Sequence, residues 1–316
     1  MRTWLTGLAL VATLAGAAPA FAQDAAAVQD EDRVEDIVVT ARRAGAPMWT
    51  VERGDSTVIL VGAISGVPRD FVWRPEALEA ATARSQRILY PTEARASMSD
   101  VFRILWRIRT ISRLPEGTTT ADYLSPDLQA RLEALMADEG DGWRTKSFVG
   151  LSFDLLEKAG RERRTSGAVT AVRDAARRAG LSGEPVGIVR GDELVEGLIS
   201  GPPAQYAPCI AASIAAAEAG PEGAQARLEA WRALRVVDVL ATPLDQAYDL
   251  CWPSGDPEVA PAQREQWRAA TQTALTQPGV TMGVAALRIL AEPGGVLDQL
   301  EAEGLEVRGP DWKVEP

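Results

Sequence analysis

Two short runs rich in β-branched and apolar residues, 48–52 and 56–64, flank the dipeptide Gly54-Asp55 and predict a β-hairpin. Residues 75–84 repeat apolar positions at helical spacing with Pro75 in the first turn, and 87–90 form a brief apolar strand ended by Pro91. From Ser99 to about Gly180 the pattern is helical. Val101, Leu105 and Ile108 recur at helical spacing, as do Leu128, Leu132 and Leu135 behind a Ser125-Pro126 helix start. Residues 168–179 predict a helix ending near Gly180, and 185–189 another buried strand. Helices follow at 203–219, 222–240 and 261–275, then a strand at 280–286, a helix at 294–303 and a short strand at 305–307. Strands at both ends with helices between them predict an α/β fold. Its central mixed β-sheet is formed by N- and C-terminal strands and flanked by a large helical middle region.

The first residues follow a different logic. Arg2, an apolar run over 5–18 and Ala20-Phe21-Ala22 before Gln23 predict a secretory signal peptide over residues 1–22. The run is short of the roughly 20 residues a membrane span needs, and no other span is predicted. Residues 23–46 are polar, Ala-rich and acidic and read as a flexible tether. The expected location is the periplasm. In that oxidising compartment the two cysteines, Cys209 and Cys251, are expected to pair, stabilising the fold by about 4 kcal/mol in the chain-entropy model.

Composition narrows the chemistry. Lys and Arg number 33 against 44 Asp and Glu, a net charge of −11, which argues against nucleic acid as a partner. There is no histidine at all. A Ser-His-Asp triad, a Cys-His dyad and a His-ligated metal are therefore excluded. What remains is carboxylates, hydroxyls, thiols and three lysines (Lys146, Lys158, Lys313), and no cofactor is indicated.

Pro47-Met48-Trp49, followed by Val58-Ile59-Leu60-Val61-Gly62-Ala63-Ile64-Ser65, resembles the start of the TraB/GumN family, where a second strand ends in G-T-x-H. The stretch from Val280 to Leu297 resembles that family's C-terminal G-x-x-H strand and G-P-x-G-x-L turn. Leu228-Glu229-Ala230-Trp231 and Arg264-Glu265-Gln266-Trp267 resemble two of its helical landmarks. The similarity runs in order from about Pro47 to Val307 and makes 47–316 one TraB/GumN-like domain. It implies that Trp49, Trp231 and Trp267 are core residues. In that family two histidines and acidic residues are thought to hold a divalent metal for hydrolysis of peptide-like bonds. Here the first His position is Ser65, after Gly62, and the second is Ile289, with its glycine at Ala286. The Glu ending the third strand falls at or near Pro91, with Glu93 beyond it in an expected loop, and a Leu-Glu pair becomes Val189-Arg190. An isoleucine donates no lone pair to a metal, and an arginine in the old pocket repels a cation. The resemblance implies the scaffold, and the substitutions imply that the site is lost.

Other chemistry is weaker. Ser65 lacks the G-x-S-x-G context of a nucleophile elbow. Asp138-Glu139-Gly140-Asp141 and Gly191-Asp192-Glu193 lack calcium-loop spacing and read as helix ends. The Arg-rich stretches 161–164 and 177–178 read as solvated helix faces. Trp106, amid Arg103, Arg107 and Arg109, reads as the cap of an apolar face. The tether segment Val34–Arg42 resembles a TonB box, and Asp36, Ile37, Val38, Val39 and Thr40 suit pairing with a partner's sheet edge. The expectation is a non-catalytic periplasmic protein that binds a protein or small molecule, with a TonB-like protein as one partner through the tether. The competing expectation is a hydrolase with a relocated, carboxylate-based site.

Overall fold

Gly54, at φ +56°, turns the chain between strands β1 (Met48–Arg53) and β2 (Ser56–Ala63), which pair antiparallel with Trp49 opposite Leu60. The computed structural model describes residues 45–313 apart from 96, 163, 164, 257 and 258. The signal peptide, the TonB-box-like segment and part of the 161–164 stretch lie outside the described residues. Ala46, placed by the sequence at the end of the tether, is fully buried in the core.

On its other edge β2 pairs in parallel with β7 (Gly279–Ala286), in register from Ser56–Gly279 to Ala63–Ala286. Beyond β7 come β3 (Arg87–Tyr90) and β5 (Gly183–Pro185), both parallel to it, while β8 (Val307–Arg308) extends the β1 edge. The result is a mixed six-stranded sheet of order β5-β3-β7-β2-β1-β8, completed by the C-terminal strands as expected. All eight residues of β2 are buried, which fits a central strand covered on both faces. On one face Thr82 of α1 (Pro75–Arg84) donates to Met282 Sδ at 3.1 Å, and α6 (Ala168–Arg178) packs beside α1. On the other, Trp267 of α11 (Val259–Ala274) lies over Gly283 and Leu287 of α12 (Leu287–Ala291) over Gly62. A β-carbon at Gly62 would sit 2.5 Å from the end of the Leu287 side chain and 3.1 Å from the Trp49 ring, so a larger residue there would require both to shift. Trp49, Trp231 and Trp267 are all in the core.

The middle of the chain includes α2 (Met98–Trp106), α3 (Ile108–Ser112), α4 (Pro126–Leu135), α5 (Phe148–Lys158), α7 (Gly191–Ser200) and α8 (Ala207–Arg232). Leu132, Phe148, Leu151, Leu155, Ile210 and Ile214 form a second apolar cluster under α8. The expected break near residue 220 is present as Gly220 at φ +62°, before Pro221. The single helix expected over 222–240 instead ends at Arg232. Leu234, also at φ +62°, breaks it from α9 (Val236–Ala241), and α10 (Pro243–Leu250) follows. Cys209 and Cys251 form the expected disulfide, tying the start of α8 to the end of α10. The last helix is α13 (Val296–Ala302).

Three further expectations are corrected. The strand expected at 185–189 is divided between β5 and β6 (Ile188–Arg190), and Ile188 is exposed rather than buried. Glu93 is not in a loop. It opens β4 (Glu93–Arg95), which pairs in parallel with β6 as a separate two-stranded sheet. The helical pattern of Val101, Leu105 and Ile108 is present in α2 and α3, yet the apolar face it forms looks to solvent rather than to the core, and Trp106 at its end is 88% exposed.

Candidate functional site

The adjacent parallel strands β2 and β7 end together at Ala63 and Ala286, and a cavity of about 100 Å³ opens just beyond. The carboxyl ends of parallel strands are where open α/β sheets place ligands, because the chain there diverges into loops that leave a crevice. Ser65, Ala286 and Ile289 line this cavity together, so the structure brings to one place the residues that the sequence resemblance set against the family's two histidine motifs. Ser65 is exposed to it and Ile289 is almost fully buried. Gly62 lies behind the wall, where its carbonyl accepts a hydrogen bond from Trp231 Nε1 at 2.9 Å. Pro91 and Arg190 are not on the wall. Pro91 follows β3, and Arg190 ends β6 with its side chain two-thirds exposed and 3.6 Å from Asp192.

The cations of the cavity are Arg227 and Arg288. Arg227, on α8, is buried and donates from Nε and Nη2 to Asp245 Oδ1 at 2.9 and 2.6 Å. Its Nη1 reaches the carbonyl of Ser65 at 2.8 Å, and its guanidinium lies over the Tyr248 ring at 5.2 Å. Arg288, on α12, donates from Nη2 to Asp245 Oδ2 and to the Leu240 carbonyl at 2.8 and 2.9 Å. Its Nη1 is 3.8 Å from Asp249 and 4.0 Å from Glu292, and Glu292 pairs with Arg264. Three arginines thus face three carboxylates in a balanced network.

Sequence reasoning missed Asp245, Tyr248 and Asp249 because it missed α10, which carries all three. Its start was legible. Thr242 caps it by accepting from the Asp245 amide at 3.4 Å, and Pro243 is its first residue. With α10 in place, Asp245 and Asp249 stand one helical turn apart on the side facing Arg288.

Burial pushes the Asp249 carboxyl above the usual range, and neighbouring Asp245 adds to this while Arg288 and Arg264 oppose it. Glu292 is raised in the same way by burial and then by Asp249, against the pull of Arg264 and Arg288. Burial also raises the Tyr248 hydroxyl, with Arg227 and Arg161 opposing. Tyr248 and Asp249 line the cavity with Ser65, Ser254 and Gln263, so beside the Arg227–Asp245–Arg288 network its polar wall is hydroxyls, an amide and a weakened acid.

These donors do not fit the divalent ion that the resemblance implies. Asp245 accepts three N–H groups from two guanidinium groups, leaving its oxygens committed. Ile289 supplies no donor, and each remaining carboxylate faces an arginine. Among the described residues no group of three or more His, Cys, Asp or Glu side chains is placed to hold a metal. The acidic runs near 138–141 and 191–193 are placed elsewhere: Glu139 pairs with Lys158, Asp141 with Arg144, and Asp192 lies at the start of α7. No helix among the described residues is long and apolar enough to cross a membrane.

A family model described as the TraB/PrgY/gumN family matches residues 47–309. No curated protein and no solved structure matches the chain.

Proposed function

Because the chain belongs to the TraB/PrgY/gumN family, we propose that it keeps that scaffold as a periplasmic binding protein and has given up the metal-dependent hydrolysis that the resemblance implies. The observation that carries this reading is the Arg227–Asp245–Arg288 network. It lines the cavity beside Ser65 and Ile289, the residues that take the place of the motif histidines in the resemblance, with guanidinium groups that already occupy the one buried carboxylate there. Catalysis through a metal needs convergent lone pairs and an open coordination position, and guanidinium groups at that place oppose both. A small, charge-balanced cavity with Ser65, Tyr248, Ser254 and Gln263 on its wall suits a compact polar ligand or the tip of a partner's side chain. Export through residues 1–22 and recruitment of a TonB-like protein through Asp36–Thr40 complete the proposal, both supported by sequence alone.

Metal analysis by mass spectrometry, on the chain from Gln23 purified without chelator or affinity histidines, tests the reading. Less than about a tenth of an equivalent of any divalent ion is expected, since the wall offers no ligand set. Stoichiometric metal would overturn it. The second reading, a hydrolase using relocated carboxylates, is favoured by one observation: Asp249 and Glu292 both sit beside Arg288 with raised pKa values. Turnover of peptides or esters that disappears in Asp249→Asn and Glu292→Gln would establish it over the first.

A further inference from the structure

Helix α2 is turned inside out. Met98, Val101, Phe102 and Leu105 fall at i, i+3, i+4 and i+7 and, with Trp106, make one apolar face. On a globular protein such a face packs on the core, yet here Met98 is 71%, Phe102 66% and Leu105 62% exposed. The residue that the helix buries is Asp100, held in a capping box by Ser97. Ile108, at the head of α3, is half exposed and continues the patch. Contiguous apolar surface of this kind marks an interaction site.

The charges around it say which kind. Between residues 98 and 113 there are four arginines, Arg103, Arg107, Arg109 and Arg113, against the single acid Asp100, in a chain whose net charge is −11. All four are exposed. Arg103 makes a long contact with Glu196 at 3.4 Å, and Arg107 and Arg109 make no ion pair among the described residues. We propose that α2 and the head of α3 form an interfacial anchor that lies on a lipid surface rich in anionic headgroups. The apolar face enters the boundary of the acyl chains, Trp106 sits at headgroup depth, and the arginines bind lipid phosphates. A two-fold contact with a second copy would instead bring two arginine clusters together, which charge repulsion opposes.

Sedimentation with vesicles tests this, using the chain from Gln23. One set contains phosphatidylglycerol mixed into phosphatidylcholine, the other phosphatidylcholine alone. Binding to the anionic set only, weakening as salt rises, is expected. Phe102→Asp with Trp106→Asp should abolish it, and Arg107→Glu with Arg109→Glu should lower the partition coefficient about tenfold or more. Both pairs of side chains are exposed, so unchanged circular dichroism and melting temperature are expected for each variant. Quenching by brominated lipid that is lost in Trp106→Phe, while sedimentation persists, would place Trp106 in the interface. Absence of sedimentation, or equal sedimentation with both sets, would overturn the proposal. So would a dimer in solution that Phe102→Asp with Trp106→Asp disperses without any vesicle binding.

Discussion

Arg227 donates from Nη1 to the main-chain carbonyl of Ser65 at 2.8 Å, across a separation of 162 residues. Ser65, at the mouth of the cavity, is thereby held by its backbone, by a cation whose other nitrogens are committed to Asp245. The loop after β2 is fixed by α8 through this contact, and Gly66, at φ +76°, passes close under the Tyr248 hydroxyl. The site is therefore organised as a rigid charged joint between the sheet and the helices.

Breaking that joint on one side should be costly. The Arg227 and Asp245 side chains are 3% and 7% exposed, so Arg227→Met leaves a buried carboxylate with Arg288 as its remaining cation. Urea denaturation should show a loss of about 3–5 kcal/mol. Combining Arg227→Met with Asp245→Leu removes both buried charges and should recover a large part of that loss. A double variant as unstable as the sum of the singles would show that the pair is not coupled.

Returning the family's histidines should not return a metal. With Ser65→His and Ile289→His, two imidazoles face a cavity that still contains Arg227 and Arg288. Divalent metal content is expected to stay below about a tenth of an equivalent, because fixed guanidinium charge opposes the ion that the imidazoles would attract. Stoichiometric zinc in the double variant would show that the arginine network tolerates a cation and that the histidines alone were missing.

The centre of the sheet was legible in sequence because β2 and β7 are buried on both faces, so that β2 is written as a continuous apolar run, Val58–Val61, and β7 as an uncharged one rich in small and apolar residues. Tryptophans at family landmarks identified the core for the same reason. The site was only half legible. Ser65, Ala286 and Ile289 follow directly from the ends of β2 and β7, so locating the strands located them. The arginine network was not, since Arg227, Asp245 and Arg288 come from three helices and pair at separations of 18 and 43 residues. Arg190 attracted notice as the charge reversal nearest a motif, whereas its strand belongs to the separate small sheet. The orientation of α2 was hidden as well, because periodicity reports an apolar face and says nothing of whether the core lies behind it.

The disulfide offers a cleaner test of the helical half. Cys209 and Cys251 close a loop of 42 residues between α8 and the end of α10, and both are buried. Replacing both by alanine should cost about 4 kcal/mol, chiefly by freeing the unfolded chain. Because α10 carries Asp245, Tyr248 and Asp249, the pH dependence of stability that Asp249 contributes should flatten along with the fall in melting temperature. A variant with unchanged stability would mean that packing of α8 on α10 suffices.

The raised acids predict a pH signature with a definite sign. A carboxyl with a folded pKa above its unfolded value binds more protons in the folded state between the two values, so its contribution to stability falls as pH rises through that window. For Asp249 the window opens near the ordinary aspartate value of about 3.9 and extends upward, because burial disfavours the anion more than Arg288 and Arg264 favour it. Asp249→Asn removes this titration and no short hydrogen bond, as its nearest guanidinium nitrogen is 3.8 Å away. Measured by urea denaturation from pH 4 to pH 7, the variant should gain stability relative to the parent as pH rises. Glu292→Gln should show the same slope on a lower baseline, since it also loses the charged pair with Arg264. A parent that instead gains on Asp249→Asn with rising pH would mean that Arg288 holds Asp249 as a true ion pair, and the cavity wall would then carry one more fixed negative charge.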